Sequence, residues 1–492
     1  MNYIFLTSGL LLGWTFGANG AANLFGTAVG TKMLKFRTAA IIASIGMVAG
    51  AVLEGGGASE TLGQLGAINA SAGAFTVALA AGATLALMAK LRLPGSTSQA
   101  IVGGIVGWNL FSGASTDYSL LAQIATTWFL CPALAAFFAI IIYFITKYLL
   151  ENVKMHLLTM DAYTRYALII VGAFGAYSFG ANNIANVMGV FVSTSPFKDI
   201  AIGQHIHFSS VRQLFLLGGI AIAVGVFTYS KRVMKTVGRD LYRLTPVTAF
   251  IVVLSHSLVL YFFASNNFRE WLISLNLPTF PLVPVSSSQA IIGGVIGIAL
   301  AKGGRNLQWG VLGKIFSSWI TTPIIAGFIS FFALFIVQNV FDQKVYDVTI
   351  HSFPDMVIER LEREEIEGYV LQSLAGMEFS NTRRLRRYLN DFRDLDFEVK
   401  DKIVFYSTKE GYEINRALLK QIREEDFTAT QLQDLYSLKS GRFLYSWEIY
   451  DLLSERSDEW KLKPNTEENI EYNEELKRKY ECVTELFKIK HN

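Results

Sequence analysis

Thr15-Phe16-Gly17-Ala18-Asn19-Gly20-Ala21-Ala22-Asn23, near the start of the chain, returns as Ser178-Phe179-Gly180-Ala181-Asn182-Asn183-Ile184-Ala185-Asn186. A second phrase, Gly95-Ser96-Thr97-Ser98-Gln99-Ala100-Ile101-Val102-Gly103-Gly104, returns as Val285-Ser286-Ser287-Ser288-Gln289-Ala290-Ile291-Ile292-Gly293-Gly294. Both recur in the same order, and both lie within long apolar stretches. A chain written twice, with polar phrases breaking its apolar segments, has the organisation of carriers built from internal repeats. Trp128 with Trp319 and Pro132 with Pro323 extend the pairing and read as anchors and hinges.

The 52% apolar content and mean hydropathy of +0.36 merge two unlike regions. Runs at 41–53, 72–88, 129–145, 214–228, 249–264 and 324–337 approach the ~20 residues that cross ~30 Å of hydrocarbon, and no soluble fold accounts for so many. The opening segment is too long and too rich in Asn and Gly for a signal peptide, and reads as a retained first membrane helix. After about Asn339 the chain turns to Glu, Arg, Lys and Asp, with helical spacing at Leu385, Leu389, Phe392 and Leu395. The expectation is an all-α membrane protein of two inverted-topology repeats with discontinuous, re-entrant helices, followed by a mainly helical soluble appendage. The boundaries expected are 1–155 and 156–340 for the repeats and 341–492 for the appendage. The plain reading of the appendage is a solvated helical bundle with no site of its own.

Cys131 and Cys482 are the only cysteines, which argues against a disulfide framework or a thiolate metal site. A net charge of +3 gives no sign of a nucleic-acid partner. Basic residues gather at Lys32, Lys35 and Arg37, at Lys90 and Arg92, at Lys147 and Lys154, and at Lys231, Arg232, Lys235, Arg239 and Arg243, whereas 54–60 and 112–117 carry none. The positive-inside tendency puts these loops in the cytoplasm and the N-terminus outside, so the first half crosses an odd number of times and the second copy is upside down. Mirroring then places the appendage outside. The expected location is the plasma (inner) membrane, with lipid around the chain and a second copy as a candidate partner.

Amides and small residues within apolar helices must face a protein-lined cavity, because an unsatisfied polar group there costs several kcal/mol. Pro94 and Pro284 end what precedes them, so Ser96 and Ser286 stand at fresh helix starts, with free N–H groups and the positive dipole end. Such a place suits an anion with many oxygens. The plainer alternative is that Ser, Thr and Gly only let helices pack closely. Packing needs no matching Gln99 and Gln289, and no matching Asn at four positions.

At this point the residues resemble the inorganic phosphate transporters, the PiT family. Its hallmark is a doubled Gly-Ala-Asn-Asp-x-Ala-Asn phrase, each copy followed by a Pro-(Val/Ile)-Ser-Thr-Thr-His-like phrase; the segment 228–238 is also similar to that family. The resemblance covers roughly residues 6 to 336 and leaves the appendage out. Gly20 and Asn183 stand where the family has Asp, and Gln99 and Gln289 where it often has His. The resemblance implies transport of phosphate with a coupling cation, but the aspartates expected to help hold sodium and phosphate are missing.

Phosphate near neutral pH keeps a proton and gains from an acceptor, whereas sulfate prefers donors alone. The neutral lining tilts toward sulfate and the family toward phosphate, which is kept marginally ahead. The anion set is Asn19, Ser96, Thr97, Ser98, Asn182, Asn183, Ser286, Ser287 and Ser288. Moving a dianion inward against an inside-negative potential costs about 4.6 kcal/mol per 100 mV, so accumulation needs a coupling cation, sodium or a proton. Sodium suits oxygens at Asn23, Gln99, Asn186 and Gln289, and no other metal or cofactor is expected. Protons would travel by Glu54 and His256, whose plainer roles are an interfacial loop carboxylate and a helix–helix hydrogen-bonder. A rival reading is a non-transporting anion receptor that signals through the appendage. An enzyme is not expected, since no nucleophile, base and orienting group recur together.

Overall fold

Hydrocarbon offers no partner to a backbone amide, so an apolar run must satisfy its N–H and C=O groups internally, and a helix does so. The computed structural model describes residues 2–66, 68–91, 93, 95–153, 156–198, 200–202, 206–237, 245–303, 309–364, 366–392, 395–419, 422, 426–464 and 469–489. Arg92, Pro94, Lys154, Gly238, Arg239 and Arg243, which entered the sequence reading, lie outside the described residues. The chain divides into two compact units, 1–112 with 116–347, and 113–115 with 348–492.

The first unit contains α1 (Thr7–Gly30), α2 (Phe36–Glu54), α3 (Gly56–Leu65), α4 (Ser71–Lys90), α5 (Thr97–Ser112), α6 (Tyr118–Asn152), α7 (Leu157–Met188), a short hairpin of β1 (Ile200–Ile202) and β2 (Ile206–Phe208), α8 (Ser210–Thr228), α9 (Ser230–Val237), α10 (Pro246–Ala264), α11 (Asn266–Ser274), α12 (Ser287–Ala301) and α13 (Trp309–Asn339). Among the described residues, seven helices are long and apolar enough to cross a membrane: α2, α4, α6, α7, α8, α10 and α13. The six apolar runs lie in six of these. The seventh, α7, carries the second asparagine phrase, whose polarity shortens its apolar run. Both asparagine phrases sit inside unbroken helices, and the discontinuity falls at the serine phrases, where α5 and α12 start as short helices after irregular chain. Lys231 of α9 stands 5.7 Å over the Phe36 ring, so two of the basic segments meet at one end of the helices.

The duplication shows in how the helices pair. Helix α1 packs along α8 and α7 along α2; α5 packs along α13 and α12 along α6. Every helix in these pairs lies against an element of the other half. Glycines set the approach: a Cβ on Gly17 would stand 1.8 Å from the Ile222 carbonyl oxygen, and one on Gly180 2.0 Å from that of Met47. Likewise Gly103 abuts the Pro323 carbonyl and Gly293 the Pro132 carbonyl, each 2.1 Å from such a Cβ. The small residues of both phrases therefore do pack helices, and the polar residues beside them remain to be explained. Phe129, Phe137 and Phe144 of α6, with Phe328, Phe332 and Phe335 of α13, are exposed and form part of the apolar exterior that a bilayer requires.

The second unit is mostly helical, with short strands that helical spacing alone does not reveal. Strand β3 (Ile350–Ser352) is followed by α14 (Asp355–Arg363), α15 (Gly368–Leu374), β4 (Glu378–Phe379), α16 (Thr382–Leu389), α17 (Phe397–Ser407) and β5 (Thr408–Lys409). Then come β6 (Tyr412–Ile414), α18 (Arg416–Leu419), α19 (Ala429–Ser437), β7 (Gly441–Phe443), α20 (Ser446–Ser454) and α21 (Ile470–Phe487). His351 of β3 pairs with Phe379 and Thr408 on its two sides; Tyr412 of β6 pairs with Phe443 and, through an isolated bridge, Lys488. The order strand, two helices, strand, two helices, extended segment thus occurs twice, so the appendage is itself a tandem duplication. There are two cores, one around Val357, Leu371 and Leu389 that also takes in Tyr445 and Trp447 from the second copy, the other around Ile414, Leu453 and Trp460. Leu385 and Leu389 lie on α16, while Phe392 and Leu395 follow its end and pack into the same core.

Candidate functional site

Ser96 and Ser286 immediately precede α5 and α12, and each hydroxyl oxygen faces the N–H three residues on, at 3.5 Å from Gln99 and 3.4 Å from Gln289. These caps leave other first-turn N–H groups unpaired, the usual condition of a helix start. The Ser96 hydroxyl donates to that of Ser286 at 2.9 Å, so the two helix starts meet. Ser286 also lies 3.1 Å from the Ser288 hydroxyl, and the buried Cys131 thiol points at the Ser286 carbonyl at 3.7 Å. Cys131 is a neighbour that its sequence context, an apolar run, gave no signal of. Two positive dipole ends and two hydroxyl-rich first turns therefore converge in a buried place.

The other expected site residues fall into five settings. Asn182 is buried and fully engaged: its amide nitrogen donates to the Val285 carbonyl at 2.8 Å and its oxygen accepts the Val285 N–H at 3.0 Å. Asn186 donates to the Ser98 hydroxyl at 3.0 Å, Ser98 donates to the Val285 carbonyl at 3.2 Å, and Ser287 lies 2.9 Å from His256 Nε2. Asn183 turns back to the Phe179 carbonyl of its own helix at 2.9 Å. Asn19 is exposed, and Asn23 and Thr97 are half-buried. Glu54, buried at the end of α2, accepts from Ser265 Oγ, the Asn266 N–H and Asn267 Nδ2 at 3.1, 3.0 and 2.6 Å. Its bonds go to the junction of α10 and α11 and none to a serine phrase.

Gln99 and Gln289 are fully buried, and both amide atoms of each find no protein partner among the described residues; the same holds for Asn186 Oδ1 and His256 Nδ1. A buried polar atom left unpaired costs ~1–3 kcal/mol, so such atoms are expected where a ligand or ion binds. Gly103 meets Pro323 and Gly107 meets Gly327, so α5 and α13 run parallel and one turn back brings Gln99 level with Trp319. The contacts of Gly293 with Pro132 and of Gly297 with Ala136 place Gln289 level with Trp128 in the same way. Pro132 and Pro323 lie inside α6 and α13 and lack an N–H, which releases the Trp128 and Trp319 carbonyls from their helical donor. Each glutamine therefore lies beside a turn with a freed carbonyl. Among the described residues no three His, Cys, Asp or Glu gather as metal ligands, so a cation here would meet amide, hydroxyl and carbonyl oxygens.

Apolar exterior, internal duplication and a buried neutral site at two helix starts define a multi-pass membrane carrier. The family model described as the phosphate transporter family matches residues 16–268 and 271–477, and the chain belongs to that family, whose members are transporters and not enzymes. A provisionally named phosphate permease of Methanocaldococcus jannaschii is 27% identical over 64% of this chain and 91% of its own length. The sulfate permease CysP of Bacillus subtilis is 28% identical over 65% of this chain and 84% of its own. The solved structure of a sodium-dependent phosphate transporter shares the fold, with a TM-score of 0.54 and 22% identity over 68% of this chain and 98% of that one.

Proposed function

We propose that the protein carries an inorganic tetrahedral oxyanion, phosphate first, across the membrane in symport with a cation. The observation that carries this is the meeting of two serine-capped helix starts, 2.9 Å apart at Ser96 and Ser286, one from each half of the chain. An anion seated beside this pair would take hydroxyl and N–H donors from Ser96, Thr97, Ser98, Ser286, Ser287 and Ser288 without a neutralising side chain. The repeats 1–155 and 156–340 would move about this point to alternate access. The name of the structural neighbour makes sodium the first candidate for coupling. Asn23, Asn186, Gln99 and Gln289 would hold it, with the freed Trp128 and Trp319 carbonyls as further hard-oxygen ligands. His256 is the leading proton candidate, because it touches Ser287.

Sulfate is the second reading, favoured by the lack of any carboxylate in the four phrases and by the sulfate permease among the relatives. Phosphate stays ahead because the family model and the phosphate permeases among the relatives carry its name, and a serine hydroxyl can accept its remaining proton as well as donate. Uptake of labelled phosphate and labelled sulfate into proteoliposomes, with sodium and proton gradients imposed separately, tests the reading. Sodium-driven phosphate uptake is expected. Sulfate uptake indifferent to excess phosphate would reassign the substrate, and the absence of flux with retained anion binding would make the protein a receptor.

A further inference from the structure

Three hydrogen bonds join α7 to the serine phrases, two between Asn182 and the Val285 backbone and one from Asn186 to Ser98, and Ser98 in turn donates to the Val285 carbonyl. The doubled phrases give each participant a counterpart, Asn19 for Asn182, Asn23 for Asn186, Gly95 for Val285 and Ser288 for Ser98. Side-chain letters are identical at all three side-chain positions, and the fourth contributes only its main chain. The same three bonds are therefore chemically available to α1. Among the described residues none of them is made. Asn182, Asn186 and Ser98 are buried, whereas Asn19 is exposed and Asn23 and Ser288 are half-buried.

We propose that these are two alternating locks, of which the structure shows the α7 lock closed and the α1 lock open, with the amide N–H groups of Asn19, Asn23, Asn182 and Asn186 as their donors. Closing a lock fixes the segment that delivers a serine-bearing helix start to the site, because Asn182 grips the main chain of the residue just before Ser286. Moving the opening to the other side exchanges Asn182–Val285 for Asn19–Gly95 and Asn186–Ser98 for Asn23–Ser288, like for like. Two states joined by such an exchange lie close in free energy, so a modest difference in ligand contact moves the population. The inference rests on the carrier reading of this site.

Thiol labelling in nanodiscs tests it. Cys482, which is exposed, is replaced by Ser, and buried Cys131 is kept. Thr15→Cys and Ser178→Cys, one turn before Asn19 and Asn182 and outside both locks, serve as reporters for a membrane-impermeant maleimide. Thr15→Cys should react at least about tenfold faster than Ser178→Cys, and adding Asn182→Ala with Asn186→Ala should reverse the order as the other lock closes. Adding Asn19→Ala with Asn23→Ala should leave Thr15→Cys fast and Ser178→Cys slow. Asn182→Asp, nearly isosteric and without the amide donor, should shift the rates in the same direction as the alanine pair by a smaller factor. Ser178→Cys staying slow in folded Asn182 variants, or both reporters speeding up together, would overturn the locks. Labelling needs no flux, so reversal without uptake would keep the locks and reject transport, while uptake with unchanged labelling would do the opposite.

Discussion

Both units of the molecule are duplications, yet they keep different things. The membrane unit keeps letters: Gly-Ala-Asn, Ser-x-Ser-Gln and the Trp and Pro positions recur at equivalent places. The appendage keeps order and core and almost no letters, so that buried His351 in one copy is answered by Tyr412 in the other. A hydrophobic core accepts any side chains of suitable volume, whereas donors around a ligand must be particular groups at particular places. Where a duplication preserves polar letters inside an apolar frame, it marks shared chemistry.

The sharpest way to break this contrast is to damage the appendage core. Trp460→Ala removes a fully buried indole and should cost about 3–5 kcal/mol of local stability, seen as faster hydrogen exchange across 412–487, with uptake unchanged. Loss of uptake would show that the two units are not separable in function. On the other side, Thr97→Ala with Ser287→Ala should raise the uptake KM on the order of a hundredfold, from two hydrogen bonds to a charged ligand, without moving that exchange. Unchanged affinity would remove these hydroxyls from the site.

A pH titration sharpens the core side. His351 is buried between Thr382 Oγ1 at 2.9 Å and Ser407 Oγ at 3.3 Å, and burial pushes it down to about 4. Its neutral form is favoured on folding, so stability is full above the unfolded value near 6.5 and is lost as pH falls toward 4. By pH 5 the loss should be on the order of 2 kcal/mol, read by exchange across 350–409, and His351→Gln should flatten it. The smallest effect is expected from Glu54→Gln, which weakens three bonds at the α10–α11 junction by about 1–2 kcal/mol and leaves the pH profile of uptake intact. A flattened uptake profile would give Glu54 a part in proton movement.

Much of this was legible in the letters, and what was not has identifiable causes. The apolar runs announced six spans, but α7 was hidden because Asn182, Asn183 and Asn186 lower the hydropathy of the helix that most needs them. The serine phrases declared their helix starts through the proline and the hydroxyl run. The appendage duplication escaped because strands of two or three residues carry no periodicity, and its two cores are built from different residues. That Asn182 grips Val285 while Asn19 lies open could not be read at all, since a repeated phrase is symmetric and only a conformation breaks the tie. Nor could the orphaned amides of Gln99 and Gln289, whose loneliness depends on what surrounds them.

Ser96 and Ser286 are the same residue in the two halves, so the bond between them crosses the pseudo-twofold relation of the duplication. A hydrogen bond has a direction, and two hydroxyls can reverse it by rotating their protons while the heavy atoms stay still. The centre of the protein is thus a fulcrum with no preferred side. If the halves exchange postures as proposed, this joint is the same in both, and a bias between them would come from its unlike neighbours, Cys131 at the Ser286 carbonyl and His256 at Ser287 among them, or from the bound anion.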